Sequence, residues 1–437
     1  MSAVTFSGLS SGIDSASLIS QLVTAEKAPA NILLAEQNDL SSHKSIVDSL
    51  ASSVASLGTL VGGMTLSSDL QFRTASSSDS HVTVTADGTA AAATHDVRVL
   101  QTAKGQVTSS RTFSSNTAGV LGSGSVDIQT GTASPITVSW DSTDTLDSIA
   151  SKLNDANAGV SASVLYDGSS YRLMLTSKQT GTANAATFTD HGDGLAFSAA
   201  SGVRVAAQDA QVSIDGVTVT RPTNVIDDAL TGVTITANSA QAATDPDSSI
   251  AVSVDHDGAA TALQKFVDSY NSIANALNTQ LTYTGSDAAS TTLFGDSTLI
   301  QLKQGLSNFI TNQFSTGSLA DLGLTIDKTG VLSLDQSKLD TALDGNQDAI
   351  ADIFVRGGAA DTLQGMTKGY TEAGDGILVT KSQGYTDQNK DLQDQIDQIN
   401  DNATALQTRL QNQFTALEAT MSSLNNQSTY ITKLLES

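Results

Sequence analysis

Cysteine is absent from this 437-residue chain, which removes disulfides, thiolate chemistry and cysteine-ligated zinc from consideration. Aromatic residues are scarce at 4%, with a single tryptophan, so any core rests on many small aliphatic contacts rather than a few large rings. Positive charge is also in short supply. Lys and Arg total 21 against 45 Asp and Glu, a formal net charge of -24. A surface that acidic repels phosphate backbones and anionic headgroups, so neither nucleic acid binding nor membrane insertion is expected. No continuous apolar run approaches the ~20 residues of a membrane span. The start shows no basic segment followed by an apolar one, so no cleaved secretory signal is expected.

What is present is a nested pattern. Up to about Met64 and from about Ala259 onward the sequence reads as helix, and the Thr-, Val-, Ser- and Gly-rich stretch between reads as β-structure. Asp14 or Ser15 can cap a short amphipathic helix carrying Leu18, Ile19, Leu22 and Val23. Pro29 suits the first turn of a second helix and is expected to end the first. From there Leu33, Leu40, Val47, Val54 and Val61 hold one heptad position, and Leu50, Leu57 and Met64 the other. Glu36 and His43 interrupt the second position, so this seam is weak at its start. Such a repeat marks a helix that needs a partner.

The C-terminal end supplies one. Leu392, Ile396, Ile399, Ala403, Leu406 and Leu410 step by alternating fours and threes. Gln413 breaks the series, and the stripe resumes at Phe414, Leu417, Met421 and Leu424 before ending at Ile431 and Leu435, a four-residue insertion that locally unwinds a coil. The two ends are therefore expected to return to each other as one coiled-coil stalk. It should be marginal alone and firmer once its remaining apolar face is buried in an assembly.

In the middle, Val82–Thr85 and Val97–Val99 alternate as short strands, and Val212–Val219 is a hairpin around Asp215-Gly216. Thr231–Thr236 and Ile250–Val254 are expected to continue that sheet. Between them, Ile136–Trp140 reads as a strand, Leu146, Ile149, Ala150 and Leu153 as one face of a short helix, and Ser161–Thr176 as a hairpin around Asp167-Gly168. Trp140 is expected to anchor this smaller core rather than bind a ligand. Past the β region, Leu263 to Leu277 and Leu299 to Ile310 give two amphipathic helices, and Ile326–Leu332 a turn between short strands.

The fold class that follows is multidomain α+β: a terminal coiled-coil stalk, a mixed helical leg domain and two nested β-rich head domains. The expected boundaries are 1–44 with 385–437 for the arms (disordered or marginal until assembled), 45–72 with 259–384 for the leg, 73–104 with 203–258 for one β-rich domain, and 105–202 for the domain inserted in it.

Chemical motifs are few. Gly8-Leu9-Ser10-Ser11-Gly12 matches a nucleophile-elbow pattern, but too few residues precede it to form the strand and sheet that such a serine requires. The five histidines are scattered and none forms a zinc-spaced pair. The acidic glycine-bearing loops at Asp190–Gly194 and Asp255–Gly258 miss calcium-loop spacing and read as turns. No phosphate loop or dinucleotide fingerprint is present, so no catalytic residue, metal or cofactor is expected and the chain reads as a non-enzyme.

Several segments resemble the flagellar hook-associated filament cap family (FliD). Gly8–Asp14 with Leu18-Ile19, Leu22-Val23, Ala25-Glu26 and Pro29 resembles its opening motif. Leu410, Phe414, Leu417-Glu418, Met421, Leu424–Ser428 and Tyr430-Ile431 resemble its closing one. Ile214–Gly216, Asn224–Asp227 and Gly232–Thr234 are similar to its middle domain, and Leu293–Asp296 and Leu322–Thr325 also fit. Thr145–Ile149 with Ser161–Thr176 resembles a repeat shared by flagellin and hook proteins. Gln106 to Val126 and the loop after Gly181 match least.

The resemblance implies a homo-oligomeric ring, commonly five-fold, at the tip of an extracellular filament, where it promotes folding and insertion of exported flagellin and prevents its loss. The partners implied are flagellin, the hook-filament junction protein, the flagellar type III export apparatus and an export chaperone. Competing readings are a tip adhesin that binds host glycans or another surface, and another axial component such as a hook-filament junction protein.

Overall fold

The computed structural model describes residues 14–199, 202–283 and 292–435. Packing divides these into two compact units: the described residues of Met1–Thr65, Ala262–Leu339 and Asp352–Ser437 form one, and Leu66–Thr261 with Asp340–Ala351 the other. In chain order the helices are α1 (Ser15–Gly62), α2 (Leu146–Asp155), α3 (His256–Leu281), α4 (Ser297–Thr311), α5 (Gln336–Gly345), the single turn α6 (Ala349–Ala351), α7 (Ala359–Thr371) and α8 (Ile377–Leu435).

In the helical unit, Asp14 caps α1 by accepting from the Ser17 amide at 3.0 Å. The expected break at Pro29 does not occur, and one helix runs from Ser15 to Gly62. Proline removes one donor, which would have bonded the carbonyl of Ala25. Both residues lie on the exposed face, where water can take up the freed carbonyl. By length and composition alone α1 is also apolar enough to cross a membrane. Its face from Val47 to Val61 is instead buried, with α7 and α8 packed along the helix. A Cβ on Gly58 would fall 2.6 Å from the Thr367 hydroxyl of α7, so glycine permits that approach.

α8 runs antiparallel to α1. Gln37 donates to the Gln393 side chain at 3.2 Å, and nearer the other end of α1 the Asp48 carboxylate accepts from Ser382. Carried on, that register sets Ser15 beside the Phe414–Thr415 turn, and α8 continues to Leu435. The remaining core of this unit comes from the stripes at Leu263–Leu277 on α3 and Leu299–Ile310 on α4. Phe266 meets Phe354 edge-on with ring centres 5.7 Å apart. Leu324–Ile326 and Leu332–Leu334 form the short hairpin expected around Asp327–Gly330.

The β-rich unit holds β1 (Arg73–Ser77), β2 (Val82–Ala86), β3 (Ala93–Gln101), β4 (Val107–Ser109), β5 (Gly124–Thr130), β6 (Ile136–Trp140), β7 (Val160–Tyr166), β8 (Tyr171–Ser177), β9 (Ala186–Gly192), β10 (Val203–Val205), β11 (Ala210–Ile214), β12 (Val217–Arg221), β13 (Val225–Leu230), β14 (Val233–Ala237) and β15 (Ser248–Val254). Two cores result. One lies between the sheet β1-β15-β3-β11-β12 and the sheet β13-β14-β2. The other lies among β10-β4-β8-β7, β6-β5-β9 and α2, with Trp140 inside it.

Asp215 (φ 48°) and Gly216 (φ 82°) make the β11–β12 turn, with the two positive φ values that a type I′ hairpin needs. β15 joins that sheet through β3, whereas β14 does not. Val233–Ala237 pairs instead with β2 and β13. Alternation of Val, Ile and Thr identifies a strand but not its neighbour, because each of several partners buries the same face.

Candidate assembly surface

The predicted seam residues fall into three groups by burial. Val47, Leu50, Val54, Leu57, Val61 and Met64 on the α1 side are buried, as are Leu392, Ile396 and Ala403 on α8. Leu33, Leu40, Ile399, Leu406, Leu410, Phe414 and Met421 are half-buried. Leu417, Leu424 and Ile431 are exposed, with 42%, 52% and 56% of their surface accessible. α1 has a matching feature. Leu18, Leu22, Ala25, Pro29 and Ile32 step by fours and threes along one exposed face, beside the buried Ile19 and Ala30.

Regular helix in the described parts of the arms accounts for this division. Residues every three or four positions share a face, so the seam stripe of α8 meets its antiparallel neighbour up to the Phe414–Thr415 turn and runs past the described start of α1 from there on. The Gly8–Gly12 segment, the start of the 1–44 arm and Glu436-Ser437 lie outside the described residues. From Ser15 to Leu435 both arms are continuous helix over their described length.

The short motifs position these helices. At Leu293–Asp296, Gly295 takes a positive φ of 78° and Asp296 caps α4 by accepting from the amides of Thr298 (3.0 Å) and Leu299 (3.2 Å). The other Asp296 oxygen pairs with Lys381 of α8 at 2.6 Å. Burial pulls the Lys381 ammonium down, but the hydrogen bonds and charge of Asp296 and Tyr385 together outweigh it, so the pKa ends above its ordinary value. In Leu322–Thr325, Gly323 sits at φ 81°, and a Cβ there would lie 2.4 Å from the Asp335 carbonyl. Asn224 bridges both backbone groups of Ala103, at 2.6 and 3.1 Å.

The histidines serve local roles. His95 bonds Asp215 at 2.7 Å, His191 bonds Asp127 at 2.9 Å, and His256 lies 3.1 Å from Asp340 and 3.3 Å from Asp344. His81 meets the Ser239 hydroxyl at 2.9 Å, and His43 sits in the α1–α8 seam near Tyr385. Among the described residues no group of His, Asp and Glu is arranged to hold a metal ion. Gln106–Val126 is mainly structural: Phe113, Leu121 and Val126 enter the core around Trp140, and Gln106, Thr108, Ser109 and Ser110 are buried beside it. Their polarity hid them from any reading of hydrophobic pattern.

Residues 207–426 match the family model described as the flagellar hook-associated protein 2 C-terminus, and residues 11–106 match the model of its N-terminus. The chain belongs to the flagellar hook-associated protein 2 (FliD) family. Residues 124–179, from β5 past β8, match the flagellin hook IN motif. Flagellar hook-associated protein 2 of Escherichia coli O157:H7 is 29% identical, with 100% of this chain and 99% of that protein aligned. The A-type protein of Pseudomonas aeruginosa is also 29% identical, over 99% of this chain and 97% of that one. Among solved structures, the D1-D2-D3 domains of the flagellar cap protein FliD from Escherichia coli superpose with a TM-score of 0.67 at 27% identity, covering 78% of this chain and 99% of that one. The FliD fold therefore covers both compact units.

Proposed function

We propose that the protein is a flagellar filament cap: a homo-oligomeric ring at the tip of the extracellular filament, where exported flagellin subunits fold and insert beneath it. Family membership supports the flagellar assignment. The observation that carries the assembly role is the pair of exposed apolar stripes, Leu18–Leu22–Ile32 on α1 and Leu417–Leu424–Ile431 on α8. Apolar side chains repeating along two adjacent helices are worth burying, at about 25 cal/mol per Å² removed from water. Neighbouring subunits and the filament end are the surfaces that would cover them.

On this reading, 1–44 with 385–437 act as arms, 45–72 with 259–384 as a leg, 73–104 with 203–258 as the outer β domain and 105–202 as its insertion. The hook-filament junction protein, the type III export apparatus and an export chaperone are partners in the same proposal. The test is a clean deletion of the gene. Flagellin released as monomers into the medium, with filaments restored by the full-length gene, supports capping. Filaments of normal length in the deletion strain would overturn it.

A further inference from the structure

The α1–α8 pair contains a polar interruption whose position is structurally defined. Stepping back along α8 from Leu392, the seam positions are Asn389, Tyr385, Ser382 and then the fully buried Leu378. Three consecutive seam positions are therefore polar, and α1 presents His43 to them. The rings of His43 and Tyr385 lie 6.0 Å apart and tilted by 46°. Asn389 donates to the Ser41 hydroxyl at 3.1 Å, and its backbone carbonyl accepts from Gln37 at 3.1 Å. Two atoms in this layer are buried with no partner: His43 Nε2 and Asn389 Oδ1.

The two sides of the layer differ. Toward the C-terminal end of α1, Val47, Leu50, Val54, Leu57 and Val61 are buried almost without remainder. There the charged groups Lys44 and Asp48 pair with each other at 2.7 Å, and Lys381 pairs with Asp296. Toward the N-terminal end, Leu33 and Leu40 are only half-buried, and Leu392, Ile396 and Ala403 carry most of the α8 contribution.

We propose that the His43–Tyr385–Asn389 layer is a built-in stop: α1 and α8 separate below it in one local opening while the core above it stays folded. Opening to the layer rehydrates the two orphan atoms, which recovers their desolvation cost, and exposes Ile19, Ala30, Leu392, Ile396 and Ala403 together with contacts that are only half-buried. Opening past it must expose five buried aliphatic side chains at once. The layer would thus let the arms change partners without unfolding the helical unit. This inference does not depend on the ring.

The experiment is amide hydrogen exchange on the full chain at a concentration where it is monomeric. Segments 20–40 and 392–410 should exchange by local opening, at least about a hundredfold faster than 47–61, which should exchange only on global unfolding. Equal protection on both sides of the layer would overturn the proposal. Replacing His43→Leu together with Asn389→Leu removes both orphans and should slow exchange in the lower segments by about tenfold to a hundredfold; unchanged lower exchange contradicts it. A second variant covers a misfolded first. The chain has no cysteine, so Gln37→Cys with Gln393→Cys gives one defined cross-link below the layer. Oxidation should bring lower exchange close to the upper rate, and reduction should restore the difference. Fast lower exchange in the oxidised protein would show that the opening is not separation of the two helices.

Discussion

The β-rich unit and the α1–α8 pair use the same small aliphatic residues, but they bury them differently. In the β core around Trp140, Val126, Ile128, Leu146, Ile149, Leu153, Val160, Leu173 and Leu175 are each buried almost completely, and both sheets and α2 close on them. In the helical pair, burial falls from Val47 toward the N-terminus of α1 and toward the C-terminus of α8, ending in exposed leucines. A sheet with one face covered completes itself. Two helices side by side cover only one stripe each and leave the others for a third surface. The difference separates a region whose own contacts close its core from one that leaves apolar side chains uncovered.

The sharpest way to break this comparison is to damage each region alone. Leu153→Ala, inside the core around Trp140, should cost about 2–5 kcal/mol and lower the melting temperature of the β-rich unit, followed by its strand-type circular dichroism. The helical signal should keep its own transition. A loss of helix at the same temperature would mean that the two regions are one cooperative unit. Next in size is Gly58→Val. A Cβ there would crowd Thr367 at 2.6 Å, so overpacking should cost about 1–3 kcal/mol and appear in the helical transition only.

Two smaller effects sharpen the account of the β-rich unit. Thr145 caps α2 by accepting from the Ser148 amide at 3.1 Å while Ser148 returns a bond to the Thr145 amide. Thr145→Ala should therefore cost about 1 kcal/mol by urea titration. Beside it, the Asp144 carboxyl is held down from 3.8 to about 2 by hydrogen bonds from Lys152, the Asp141 amide and Ser148. A depressed carboxylate contributes stability that is present above its unfolded value and lost as pH falls through its folded value. The wild-type β transition should thus weaken between 3.8 and about 2, and Asp144→Asn should flatten that slope. A mutant with the wild-type slope would show that other carboxylates carry the acid response.

Much of this arrangement was legible in the residues. Asp215-Gly216 announced its hairpin because two positive φ values suit few other pairs, and the heptads announced two long helices that need each other. Other features depended on partners that no local pattern names. Pro29 read as a break because its donor loss is local, while the compensation comes from the helix on either side and from solvent at Ala25. Val233–Ala237 read correctly as a strand and wrongly as a member of the hairpin's sheet. Gln106–Ser110 could not be read as core, since buried polar side chains look like loop until their bonds, such as Gln106 to the Ala186 carbonyl at 2.8 Å, are known. For the seam, spacing found the stripe but not where cover ends, which is set by the register of α1 on α8.

That end point is where the cap proposal is most exposed to failure. Leu417 and Leu424 are 42% and 52% exposed, so truncating both to Ala should change folding by no more than about 0.5 kcal/mol at each site. If they dock on the filament or on neighbouring subunits, the same truncation should abolish growth. The direct measurement is Leu417→Ala with Leu424→Ala, expressed in a cap-deleted strain, with filament length scored beside the melting of the purified protein. The account predicts wild-type melting of both regions and no filaments, with flagellin released into the medium. Filaments of normal length from this variant would contradict it and leave the exposed stripe without a role in assembly.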